Sequence, residues 1–512
     1  MARDPQGALV ALNRFGFGAR GGSSGDFASA AADPRGFVKA ELTRPSAALL
    51  EQPSLRPSPE IGKAFFAYRA DVRRQRAATK SAQSSPSEPQ AQMANGAGSD
   101  ANDGARRAGA SDQMQQGGQV EPPQPGMVRP PEAAGREVPQ PVDIVVKTYR
   151  AEALARFQRA TLAENGFVER LVTFWSNHFC ISASKGIAVR ILAGAFEREA
   201  IRPHVLGRFS DMLLAVEQHP AMLLFLDNQQ SLGPASRAGV NRKRGLNENL
   251  AREILELHTL GVGGGYTQQD VTSLARIITG WTFAGPDGRL ADPGRFAFNV
   301  NAHEPGSQTL LGKSYPDTGL SQGQSALKDL GRHPSTAKFI ATKLARHFVA
   351  DDPPPALVAR LAQRFVKTDG DLKALALELA DADAAWKAPL TKIRTPYDAV
   401  IATGRMLARV PEQPVRYLGN LNLLGQPLWS PAGPNGFADT GSVWASPEGL
   451  KLRLDLAAQV GARLGDTFEP RELMEVIAGD ATSKETRETI ARAESRQQAM
   501  ALLLMSPEFQ RR

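Results

Sequence analysis

The stretch NENLAREILELHTLGVGGGYTQQDV (247–271) decides the fold class. Its first fourteen residues, 247–260, place Leu250, Ile254, Leu257 and His258 along one side at helical spacing, and Gly261 with Gly263-Gly264-Gly265 stops the helix. Thr267, followed three residues later by Asp270, has the form of a capping box that starts a second helix over 268–280. Val271, Leu274, Ala275 and Ile278 share one face of it. A helix, a glycine turn and a capped helix form a helical hairpin, with no strand ahead of the glycines. The dinucleotide and P-loop fingerprints, which need that strand, are therefore excluded. The glycines could cradle an anion at a helix start, but a tight helix–helix turn is the simpler reading.

The pattern repeats outward. GFVERLVTFWSNHF (166–179) carries an apolar stripe of Phe167, Leu171, Phe174 and Trp175 that ends in His178. PSTAKFIATKLARHFV (334–349) starts with proline and ends with His347 on the side of Ile340 and Leu344. Asp4-Pro5 and Asp33-Pro34 are helix-start pairs. Further helices are expected at 58–78, 142–163, 184–199, 207–217, 355–366, 371–386, 396–409, 447–463 and 484–505. RFAFNVNAHEPGSQTLLG (295–312) is the exception and reads as one short β-hairpin. The fold class is mainly α: a large multi-helix domain with a disordered insertion and that one hairpin.

The insertion is residues 81–140, which hold no Phe, Ile, Leu, Trp or Tyr but eight Pro and nine Gln. Such a composition buries too little apolar surface to offset its ordering entropy. The organisation expected is an N-terminal helical part (1–80), the insertion (81–140), a central helical core (141–395) and a C-terminal helical part (396–512).

The 512 residues are 42% hydrophobic and 22% charged, ordinary globular usage that excludes a wholly disordered or fibrous chain. The single cysteine excludes an intramolecular disulfide and Cys-ligated zinc or iron–sulfur centres. The net charge of +8 is spread along the chain without a Lys/Arg run, so nucleic acid is not an expected partner. No transmembrane segment and no secretory signal are visible, which places the chain in the cytoplasm unless a partner carries it out.

Three helices each turn a histidine inward: His178, His258 and His347. Buried imidazole must satisfy both ring nitrogens or bind a metal. These three could together hold a divalent metal ion with an open position. The plainer reading of each is a core histidine bonded to a carbonyl or carboxylate. Glu253 and Glu256, with Asn249, share one helical face and could divide acid and base roles, or form a solvated ion-pair face with Arg252. At 100° per residue they point away from His258. His303 sits in the loop after the expected hairpin, where site residues concentrate. The catalytic candidates are therefore His178, Glu253, Glu256 and His303, the metal candidates His178, His258 and His347, and the pocket residues Asn177 and Asn249. Cys180 is a nucleophile candidate beside His178, though a lone buried cysteine is usually a small hydrophobe.

Eight segments together give a resemblance: LNRFGFG (12–18), FWSNHF (174–179), HPAMLLFLDN (219–228), GLNENLAREILELHTLGVGGGYTQQDV (245–271), ARIITGW (275–281), HPSTAKFIATKLARHFV (333–349), PNGFADT (434–440) and SPEFQRR (506–512). In these the chain resembles the bacterial domain-of-unknown-function-1800 family, over nearly its whole length outside 81–140. The family assigns no catalytic role to any residue. Its members are often encoded beside an exported companion similar to the sulfatase and phosphatase superfamily. The resemblance thus implies an envelope task with such a companion as partner. Two functions follow: a metal-assisted enzyme with a His/Glu pocket between helices, or a non-catalytic helical scaffold for the companion.

Overall fold

The computed structural model describes residues 3–22, 25–44, 46–83, 143–240 and 245–512. Among them helices dominate, with only two small antiparallel strand pairs. Asp143–Arg512 and the described residues of Met1–Ala67 make one compact unit. The described residues of Tyr68–Val142 belong to a second, and they are the end of the helix Ser58–Gln83. All but the first three residues of the Pro/Gln-rich window 81–140 lie outside the described residues.

Helix starts follow a repeated local rule. Asp4 accepts from the Gly7 N–H and Asp33 from the Gly36 N–H, each with proline in the first turn. His219 and His333 cap Pro220–Phe225 and Pro334–Phe348 in the same way, through Nδ1. Thr395 and Ser446 do so with hydroxyls ahead of Pro396 and Pro447. Proline presets φ and lacks the N–H that would go unbonded there, and the preceding side chain satisfies a neighbouring donor. The expected capping box at Thr267 and Asp270 forms and starts Gln268–Ile277. The glycines before it serve as a turn, with Gly261, Gly263 and Gly265 all at positive φ.

The expected hairpin is replaced by two ladders. β1 (Trp281–Phe283) pairs with β2 (Phe296–Phe298), and β3 (Gln308–Leu310) pairs with β4 (Lys313–Tyr315). Between β3 and β4, Leu311 (φ 50°) and Gly312 (φ 75°) both take positive φ, the requirement of a two-residue type I′ turn. The segment 295–312 therefore divides: its start pairs backward with residues beyond Gly280 and its end pairs forward.

The helix expected over 247–260 is an α-helix only at Asn249–Glu253. It continues as a π-helical turn, Ile254–His258. Two more π turns occur at Ala11–Phe15 and Glu197–Ile201.

The helices that carry His178 and His347 meet through rings. Phe15 lies 5.3 Å from Phe167 and 6.2 Å from Phe348, and Phe167 lies 5.5 Å from Phe348. This cluster joins the first residues of the chain to Phe167–His178 and Pro334–Phe348. Buried polar bonds tie the N- and C-terminal segments together. Asn13 donates to the Glu508 carbonyl at 2.9 Å and accepts from Arg394 at 2.7 Å, and Arg405 donates to the Gly18 carbonyl at 2.8 Å.

Candidate active site

Each of the four histidines named from sequence is buried, and each uses one ring nitrogen as a donor. His178 Nε2 donates to the His258 carbonyl at 3.1 Å. His258 Nδ1 meets Glu217 Oε1 at 2.8 Å, with both side chains essentially excluded from solvent. His347 Nδ1 meets Asp439 Oδ1 at 2.8 Å. His303 Nδ1 donates to the Thr279 carbonyl at 3.0 Å. A carbonyl only accepts, so the protonated nitrogen is fixed in His178 and His303, and the carboxylates favour Nδ1–H in the other two. The second nitrogen of every ring is buried without a hydrogen-bond partner: Nδ1 of His178 and Nε2 of His258, His303 and His347. Four oriented imidazoles thus each keep a lone pair free. This is the arrangement of a general base and equally of a metal ligand.

The lone pairs do not gather at one point. The His178 and His258 rings are neighbours, 6.4 Å apart. Phe174 touches both His178 (6.2 Å) and His347 (5.4 Å), so an aromatic ring links those two. Among the described residues no three His, Cys, Asp or Glu side chains are grouped to share a metal ion. His303 packs on Phe298 (5.2 Å) and, with Glu304, secures the 299–304 loop. Its Nε2 is 3.7 Å from Asp317, beyond hydrogen-bond range. Among the described residues no hydrogen bond or ring contact joins it to the other three histidines.

The electrostatics sort these groups. Burial drives the His178 pKa well below its usual value, helped by the Lys343 charge. Burial also lowers His347, to about 4, against the pull of Asp439. His347 is therefore neutral at pH 7, with its lone pair on Nε2. Asp439 is held far below the ordinary carboxylate range, despite burial, by His347, Arg512 and Lys343. Lys343 is depressed by burial, and its ammonium rests 5.4 Å from the centre of the Phe339 ring. It has no carboxylate or hydrogen-bond partner among the described residues.

The carboxylates on the central helix part company. Glu256 accepts from the Tyr266 hydroxyl at 3.4 Å, and Asn249 is exposed. Glu253 is half-buried, and burial raises its pKa. The π turn Ile254–His258, closed by i→i+5 bonds, lies between Glu253 and His258.

Asn177 has a structural task that fixes the site. Its amide donates to the Phe437 carbonyl at 2.9 Å and accepts from the Phe437 N–H at 2.8 Å. This clamps the loop 434–440 against Phe167–His178 and so delivers Asp439 to His347. Gly436 is required at the clamp: its φ is +76°, and a Cβ would stand 2.5 Å from the Asn177 carbonyl oxygen. Cys180 lies beneath, donating to the Pro434 carbonyl at 3.1 Å. Burial pushes its thiol up to about 12, so it stays protonated and unreactive. A cavity of about 60 Å³ opens among Asn177, Cys180, His347, Tyr397, Asp398 and Asp439. That is room for one or two waters.

Behind the cavity is a buried charge cluster. Asp398 lies 3.1 Å from Arg512 Nε and 3.4 Å from Arg170, and Arg512 also donates to the His347 carbonyl at 2.7 Å. Sequence reasoning missed Asp439, Lys343, Glu217 and Asp398 as site residues. Two of them stand in stretches quoted above, PNGFADT and the 333–349 helix. Glu217 and Asp398 lie on helices whose polar residues look solvent-facing until the partner helix is placed.

No helix among the described residues is long and apolar enough to cross a membrane. No curated protein and no solved structure is significantly similar to the chain. A family model described as protein of unknown function (DUF1800) matches residues 10–511. With nearly its whole length matched, the chain belongs to that family.

Proposed function

We propose that the chain is a hydrolytic enzyme in which His347, aligned by Asp439, acts as general base on a water held under the 434–440 loop. The observation that carries this reading is the 2.8 Å His347–Asp439 bond, which leaves a neutral imidazole lone pair buried beside a cavity of water size. A carboxylate on Nδ1 fixes the tautomer and stabilises the imidazolium once the water's proton arrives. Lys343, a half-buried cation without an anionic partner, supplies positive charge where negative charge develops. Glu253, with its raised pKa, is the carboxyl suited to return a proton.

The test is turnover of a panel of p-nitrophenyl esters, phosphates and glycosides by the purified chain. His347→Gln and Asp439→Asn should each lower the rate at least ~100-fold, the scale of general-base catalysis, with the melting temperature followed in parallel. Turnover that survives His347→Gln refutes the reading. A chain inert to the whole panel leaves the scaffold for a sulfatase/phosphatase-like companion as the better account.

A second reading keeps a divalent metal ion. It is favoured by the neighbouring rings of His178 and His258, 6.4 Å apart and each with one unbonded nitrogen, the latter with its Nδ1 already held by Glu217. Elemental analysis of the purified protein tests it. Metal should be present in the wild type and in His347→Gln and be lost in His178→Ala. Metal-free wild-type protein discards it.

A further inference from the structure

A large crevice in the compact unit lies away from the histidines. It runs between the helices Pro396–Met406, Val415–Leu423 and Pro447–Leu464 and has a volume of about 930 Å³. Its floor reaches the hydrophobic core: Leu407 is 6% exposed, and Ala457, Leu504 and Phe509 are each 4% exposed. Its mouth is basic. Arg409, Arg416 and Arg463 stand exposed around it, and Glu412 is the one carboxylate in the lining. No carboxylate pairs with these three arginines among the described residues; Arg409 rests only on the Phe468 ring, at 5.3 Å. An apolar slot with an unneutralised cationic rim is thus built on one face.

We propose that this crevice binds a long-chain fatty acid, with the acyl chain in the slot and the carboxylate among the arginines. Three features select that occupant. The volume of about 930 Å³ is that of a single-ligand pocket, near the top of the usual ~300–1,000 Å³ range. The slot ends on apolar side chains already almost closed to solvent, Leu407, Ala457, Leu504 and Phe509, against which an acyl chain can pack. Guanidinium groups pair with a carboxylate through two parallel hydrogen bonds, so the rim recognises the acid and not its ester. The inference is independent of the His347 site, since none of these residues belongs to it.

The experiment titrates the full chain with cis-parinaric acid, a fluorescent fatty acid, and separately with its methyl ester. Saturable binding of one acid per chain is expected. The double variant Arg416→Ala/Arg463→Ala alters two exposed side chains, so the fold is retained; it should weaken the acid ~tenfold and leave the ester unchanged. Val460→Trp, which fills the slot from a partly buried lining position, should abolish both. Absence of saturable acid binding, or equal acid affinity in the arginine variant, overturns the proposal. So does arginine-dependent binding of an acidic amphipathic peptide in place of the acid, which would make the crevice a docking site for a protein helix.

Discussion

Asn177 and Phe437 exchange two hydrogen bonds, of 2.9 and 2.8 Å, across 260 positions of chain. One carboxamide thereby satisfies both backbone groups of a loop residue, a match that neither Asp nor Leu can make. Because Asp439 follows two residues later, the clamp sets the His347–Asp439 geometry. Asn177→Ala should cost about 1–3 kcal/mol, the scale of two hydrogen bonds at a half-buried site. Activity should fall further than that loss implies, because the loop then holds Asp439 less firmly. Urea unfolding and turnover measured on the same variant check both parts.

Stability should depend on pH through the buried histidines. The His347 pKa falls from 6.5 to about 4 on folding, first through burial. A group depressed in the folded state binds its proton more readily when unfolded, so stability declines as pH drops from 6.5 to 4 and levels off below that. The contribution is on the order of 3 kcal/mol. His178 shifts in the same direction for the same first cause. Asp439 acts in a lower window: its depressed pKa adds stability above 3.8, and that stability is lost as pH falls toward its folded value. Urea midpoints at pH 7, 5.5 and 4.5 should converge between wild type and His347→Gln as pH is lowered. Parallel curves would show that His347 does not carry the slope.

The sequence made the helices legible and left the partners hidden. The stripe ending in His178 and the capping box at Thr267 rest on spacing within a few residues, and both are present in the structure. The inward turn of His178, His258 and His347 was legible for the same reason. Their hydrogen-bond partners were not, because Glu217 and Asp439 lie 41 and 92 positions from the histidines they meet. The π turn Ile254–His258 was not legible, because a phase rule of 100° per residue has no provision for one. The buried arginines also escape a composition reading: Arg170 and Arg512 are among the most completely buried side chains, each facing Asp398.

Cys180 should be silent in the native protein. It is buried against the Pro434 carbonyl, with its thiol pushed up to about 12. Only the thiolate reacts with disulfide reagents or iodoacetamide. At pH 8 the folded chain should resist Ellman's reagent, and one thiol per chain should appear on unfolding in guanidinium, since Cys180 is the sole cysteine. Rapid labelling of the native protein would show that the loop 434–440 lifts from its seat.

Arg512 is the most exacting test of the buried charge cluster. It places Nε 3.1 Å from Asp398 Oδ2 and donates to the His347 carbonyl at 2.7 Å. Removing one partner of a buried pair leaves the other charge uncompensated, which typically costs 3–5 kcal/mol. Arg512→Met keeps the aliphatic bulk and deletes the charge, so its penalty isolates the electrostatic part. Arg170 still faces Asp398 at 3.4 Å, which puts the loss near 3 kcal/mol, the lower end of that range. Adding Asp398→Asn to Arg512→Met should recover part of the loss, because the orphaned carboxylate is then gone. Guanidinium unfolding of the two single variants and the double variant measures the coupling. Simple additivity would mean that Arg512 acts through its bond to the His347 carbonyl and not through Asp398.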